Sequence, residues 1–146
     1  MKKLVLTALL CCLGTMAYAE EWLTDLPKAL AQAKAEKKRV FMDFTGSDWC
    51  PPCIALHDRV LTKPEFEAYA KTNFVLVVVD FPEKKPQSEA VSKANEALKN
   101  KYQVDGFPTI IITDADGKEL KRMEAYVGKN PKQFIEELEK PQDEKK

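Results

Sequence analysis

Arg39-Val40-Phe41-Met42-Asp43-Phe44-Thr45-Gly46-Ser47-Asp48-Trp49-Cys50-Pro51-Pro52-Cys53 decides the reading of this chain. Its first half is a short apolar run with strand character. Gly46-Ser47-Asp48 breaks the run, and a Cys-x-x-Cys pair flanked by Trp49 follows. Pro51 and Pro52 lack amide protons, so they belong at a helix start, where those protons would be unpaired anyway. The cysteines therefore lie where a strand hands over to a helix. Two thiols at this spacing can close a reversible disulfide across a first helical turn, a two-electron redox centre rather than a structural staple. The helix dipole and the free first-turn amides favour a thiolate at Cys50. Cys53, one turn further in, is expected to be the more buried of the two. Cys50 would attack a partner's disulfide, and Cys53 would resolve the mixed disulfide. Pro51 and Pro52 remove two donors that could stabilise the thiolate, which argues against a very strong oxidant.

Outward from this motif the chain alternates helical and strand patterns. Trp22 to Lys38 carries Leu23, Leu26, Leu30 and Ala33 at helical spacing. Cys53 to Val60 continues as helix, and Thr62-Lys63-Pro64-Glu65 has the form of a capping box opening a helix through Lys71. Phe74 to Asp80 is almost continuously apolar and β-branched, as a strand buried on both faces would be. Ser88 to Tyr102 is again helical. Thr109 to Thr113 and Lys118 to Val127 form the arms of a hairpin around Asp114-Ala115-Asp116-Gly117. Asn130-Pro131 opens the last helix, with Phe134, Ile135 and Leu138 on its apolar stripe. Helices between strands imply parallel pairing, and the late hairpin adds antiparallel strands. The fold class is α/β, a central mixed β-sheet with helices on both faces.

The chain has 146 residues, and its N-terminus has the form of an export signal. Lys2 and Lys3 precede the apolar run Leu4–Leu13, and Ala17-Tyr18-Ala19 has the small-x-small form of a cleavage site. The run is short of the roughly 20 residues of a membrane span. Residues 1–19 are read as a cleaved signal, 20–140 as one domain and 141–146 as a charged flexible tail. A retained anchor and lipidation at Cys11 are the rival readings. Leu10 before Cys11 speaks against lipidation, whose signal usually carries a small residue there. The 23 acidic residues slightly outnumber the basic ones once Lys2 and Lys3 are removed from the 23. No basic field exists for nucleic acid, and no polybasic patch for stable membrane attachment. Of four cysteines, Cys50 and Cys53 alone would remain, in a secreted, periplasmic setting where disulfides persist. A bridge closing so small a loop restrains the unfolded chain little, which again disfavours a staple.

Metal binding is a rival function. Cys50, Cys53, His57 and Asp58 could be offered to Cu(I) or Zn. Ligands within one short helix rarely enclose an ion, and His57 reads as a helix-surface residue able to tune a nearby thiol. No dinucleotide fingerprint or other organic-cofactor motif is present. Gly106-Phe107-Pro108-Thr109 is the second informative element. It places an aromatic residue and a proline just before a β-branched strand. The Phe107–Pro108 bond can be cis at little cost, and a plain strand-entry turn is the alternative.

Taken together, these motifs resemble the thioredoxin superfamily. The resemblance rests on Val40–Phe44 leading into Trp49-Cys50-Pro51-Pro52-Cys53, the buried strand ending at Asp80, Gly106-Phe107-Pro108-Thr109, and Val127-Gly128 before the final helix. Asp43 to Cys50 looks like the secreted branch that also resembles the C-terminal periplasmic domain of the transmembrane electron carrier DsbD. The resemblance implies a thioredoxin fold and thiol–disulfide oxidoreductase activity. It makes Cys50 the exposed attacking thiol, Cys53 the resolving thiol and Pro108 a cis-proline beside them. Phe107 would pair its backbone with an extended substrate, and Trp49 would flank the site. Asp43 would be the buried carboxylate that takes a proton from Cys53, its rival role being a hydrogen bond to a turn. The implied partners are proteins bearing disulfides or dithiols, and a membrane electron donor. A binding or chaperone domain using the Phe107–Pro108 face without the thiols is the remaining alternative. The chain differs from thioredoxin in one extra residue between Asp43 and Cys50. It has Leu76, by count from Asp80, in place of the lysine opposite the carboxylate. Asp58 lies near the usual helix proline.

Overall fold

The structure, a computed structural model, describes residues 21–141. The leader read at 1–19 and the charged tail beyond Pro141 lie outside the described residues. Four strands form one sheet: β1 Arg39–Thr45, β2 Phe74–Asp80, β3 Thr109–Thr113 and β4 Glu119–Glu124. Their spatial order is β2-β1-β3-β4, with β1 and β2 parallel and the other pairs antiparallel. Among the described residues, five α-helices surround them: α1 Leu26–Glu36, α2 Pro51–Leu56, α3 Pro64–Asn73, α4 Glu89–Lys101 and α5 Pro131–Glu139. This is the thioredoxin fold, an α/β mixed sheet flanked by helices, as the order of patterns predicts.

The strand period of two sorts the sheet into two apolar layers. Val40, Met42 and Phe44 of β1 join Val75, Val77 and Val79 of β2 in the layer with Leu26, Ala29 and Ala33 of α1. Phe41 points the other way, with Leu76, Ile110 and Ile112, against Leu56, Phe66 and Phe134. Its ring meets those of Trp22, Phe66 and Phe74 at centroid distances of 5.9, 5.5 and 5.6 Å. Asp43 and Thr45 follow on that second face, so a carboxyl group enters an otherwise apolar layer.

Several local expectations are corrected. The first helix begins at Leu26, capped by Asp25 through Lys28 N–H, not at Trp22. Leu23 is instead extended beside the edge strand β2, exchanging hydrogen bonds with Leu76 and Val78 at 2.9 Å. Backbone pairing there outweighs the helical spacing of the leucines. The helix after the cysteines becomes a π-helical turn over His57–Leu61, with Thr62 N–H reaching back to His57 C=O at 3.1 Å. The change of pitch falls where the resemblance places a proline. No capping box forms at Thr62. Lys63 is the N-cap of α3, and the Thr62 hydroxyl is spent on His57 C=O at 3.1 Å. The hairpin's second arm ends at Glu124, not Val127.

Phe41→Ala is expected to remove about 3–5 kcal/mol of stability, because its ring is wholly buried. Urea unfolding with an unchanged slope checks this. A loss under about 1 kcal/mol would mean that the layer collapses around the gap.

Candidate active site

Cys50 is the N-cap of α2, in extended conformation, and Pro51 and Pro52 open the helix. Gly46 C=O accepts from Cys50 N–H at 2.9 Å, and Cys50 C=O accepts from Ile54 N–H at 3.0 Å. Cys50 and Cys53 are joined in a disulfide, with Cα atoms 5.3 Å apart. The expected contrast in burial is absent: the two are 4% and 3% exposed. The disulfide and the Gly46 hydrogen bond hold Cys50 against the domain instead of projecting it.

Three consecutive residues tie the approach to this disulfide onto the end of β2. Ser47 donates its N–H and its hydroxyl to the Asp80 carboxylate, at 3.0 and 2.6 Å. Asp48 accepts from the backbone N–H groups of Glu83, Lys84 and Lys85 at 3.0, 2.8 and 2.8 Å. The hydrogen bond from Glu83, with those from Lys84 and Lys85 and the Lys85 charge, outweighs desolvation and lowers its pKa. Trp49 donates Nε1–H to Phe81 C=O at 2.7 Å. Its ring lies over Gly46, where a Cβ would come within 2.5 Å of the indole, so only glycine leaves room. From local sequence alone, Gly46-Ser47-Asp48 shows only as a break in the strand pattern. These partners lie more than thirty residues away and are largely backbone groups, which no local spacing shows.

Pro108 is buried and its peptide bond with Phe107 is cis. Pro108 C=O accepts from Ala125 N–H at 3.1 Å. Among the described residues, neither main-chain polar group of Phe107 has a hydrogen-bond partner. The Phe107 ring stacks on Phe81 at 5.0 Å and meets Trp49 edge-on at 6.0 Å. Lys99 Nζ lies 5.6 and 5.8 Å from the Phe81 and Phe107 centroids. Phe81 and Lys99 were missed in the sequence reading, although Phe81 directly follows the strand ending at Asp80.

Asp43 is 5% exposed, and among the described residues its Oδ1 has no hydrogen-bond partner. It lines a groove of about 380 Å³ with Cys53, Ile54, His57, Val78 and Lys85. Among the described residues, no turn donates to Oδ1, as the rival role would have it. Burial, and secondarily the charge of Asp80, push its pKa from 3.8 up to about 7. The residue paired with Asp43 on β2 is Val78; Leu76 pairs with Phe41. Leu76, which the resemblance matches to the family's lysine, lies one pair along on the same face, so the side chain is aliphatic at both positions. His57 is mostly exposed, with Nδ1 3.0 Å from Asp58 Oδ1. Among the described residues, no group of three or more His, Cys, Asp or Glu converges as a metal site.

The protonated form of Asp43 suits this site, so its contribution to stability is full below pH ~3.8 and lost as pH rises through about 7. Folding is expected to weaken by up to about 4 kcal/mol over that window. Asp43→Asn should lack this slope in urea titrations from pH 4 to 8; an unchanged slope would assign it to other groups. Gly46→Ala is expected to displace the indole and change the Trp49 emission spectrum. An unaltered spectrum would show that the ring does not depend on this seat.

The family of thioredoxin-like domains matches residues 26–142. Chlamydia pneumoniae disulfide bond reductase DsbH is 43% identical over 96 residues, covering 66% of this chain and 58% of that protein. Vibrio cholerae serotype O1 thiol:disulfide interchange protein DsbD is 32% identical over 118 residues, covering 80% of this chain and 18% of that protein. The chain thus spans less than two thirds of either relative. A solved structure of a DsbH oxidoreductase superposes with a TM-score of 0.77 and 33% identity, covering 94% of this chain and 91% of that one. Cys50 and Cys53 form a disulfide on this scaffold, and the chain belongs to the thioredoxin-like domain family.

Proposed function

We propose that the chain is an exported, periplasmic thiol–disulfide oxidoreductase that reduces or isomerises disulfides of partner proteins. One observation carries the reading. The Cys50–Cys53 disulfide sits at a strand-to-helix junction, and Cys53 shares a groove with an unpartnered, buried carboxyl group. The similarity to a protein named disulfide bond reductase supports the reducing direction. The leader-like residues 1–19 support export, and among the described residues no helix is long and apolar enough to cross a membrane.

In the reduced protein the Cys50 thiolate attacks one sulfur of a partner disulfide. A Cys50–partner bond forms, and the first partner thiolate leaves and takes a proton from water. Asp43, in its ionised form, accepts the proton of Cys53. The Cys53 thiolate then attacks Cys50 Sγ and releases the second partner thiolate, which is protonated in turn. The partner gains two electrons and two protons, and Cys50–Cys53 becomes the disulfide. A membrane electron donor restores the dithiol. Trp49, Phe107 and Pro108 form the substrate-binding face, where the unpaired main chain of Phe107 can take up an extended segment. No organic cofactor or metal enters this cycle.

Cys50→Ser is expected to abolish disulfide reduction. Cys53→Ser is expected to accumulate a mixed disulfide that dithiothreitol releases, seen by non-reducing electrophoresis. Equal activity of the two variants and the unaltered protein would move function to a thiol-independent binding face. Rapid oxidation of dithiol substrates, without reduction of disulfide ones, would reverse the direction.

A further inference from the structure

Asp80 ends β2 and pairs with Thr45, two residues beyond the Asp43–Val78 pair. Paired residues of parallel strands share a face, as do residues two apart along one strand. Asp43 and Asp80 therefore stand on the same face of the sheet, diagonally placed. The two carboxyl groups are held in opposite ways. Asp80 receives two donors, Ser47 N–H at 3.0 Å and Ser47 Oγ–H at 2.6 Å. Among the described residues, Asp43 Oδ1 receives none, although the side chain is buried. Two carboxylates near one site do not both ionise cheaply, and Asp43, buried and without a donor on Oδ1, is the one whose charged form is disfavoured.

We propose that Asp80, seated by Ser47, is a positioning residue whose negative charge keeps the proton on Asp43 and so sets when Asp43 can receive the Cys53 proton. The proposal rests on the reading of Asp43 as that acceptor. The other groups facing Asp43 do not supply an equivalent influence. Cys53 comes from α2, and His57 and Asp58 come from the π-helical turn, engaged with each other. Lys85 comes from the loop after β2, and the β3 partner, Ile110, is apolar. Asp80 is the charge that adds to burial in raising Asp43. With Val78 beside Asp43, no cation on the neighbouring strand offsets it. The couple would hold the resting site closed to resolution in acid and release it as pH rises through neutrality.

The test is a 13C-carboxyl NMR titration of Asp43, with the pH dependence of reduction of insulin disulfides. Both are run on the unaltered protein, Asp43→Asn, Asp80→Asn and Asp80→Glu. Asp80→Asn is expected to move the Asp43 midpoint and the inflection of the rate profile to lower pH. Asp80→Glu, which keeps the charge, is expected to retain a midpoint above that of Asp80→Asn. Asp80→Ser serves the same comparison if Asp80→Asn does not fold. An Asp43 midpoint indifferent to the charge at position 80 overturns the proposal and leaves the acceptor role standing. An inflection whose position Asp43→Asn leaves unchanged overturns the acceptor role, and with it the claim that Asp80 governs resolution.

Discussion

A carboxyl group buried without a hydrogen-bond donor is the constraint around which this site is organised. Asp43 stands on the face of β1 that otherwise carries Phe41 into an apolar layer. An isolated charge there would cost several kcal/mol, so the group instead keeps its proton up to about pH 7. The same burial that penalises the charge suits the group to the acceptor role proposed for it. A carboxyl poised near neutrality accepts and returns a proton at working pH, which an exposed aspartate cannot do.

The second requirement is a fixed approach to the disulfide. Ser47, Asp48 and Trp49 each anchor to a different part of the segment from Asp80 to Lys85. Three successive side chains thereby convert a loop into a rigid lead-in for Cys50. The anchors also bring Phe81 under Phe107 and set the aromatic wall beside Pro108. The Cys50–Cys53 disulfide and the aromatic rings of Trp49, Phe81 and Phe107 are thus gathered around one loop packed on one strand end.

Much of this was legible in the residues. The strand of alternating large apolar residues, the prolines after Cys50 and the β-branched runs at Phe74 and Thr109 each point to the element that forms. Cys50, Cys53, Asp43, Trp49, Phe107 and Pro108 are all brought to one region. What the sequence does not display is side-chain-to-backbone pairing over long separations. Asp48 with the 83–85 amides, and Gly46 under Trp49, are examples. Leu23 misled because strand pairing at a sheet edge competes with helical spacing and wins through backbone hydrogen bonds. The relative burial of the two cysteines misled because a residue at a helix start can still lie flush with the surface.

The most direct measurement is the equilibrium of Cys50–Cys53 against glutathione and dithiothreitol buffers, read by Trp49 fluorescence. A reversible two-electron couple is expected, closer to the roughly −270 mV of thioredoxin than to the about −120 mV of DsbA. A value near the oxidising end, or no reversible couple, would contradict a reductase built on this pair.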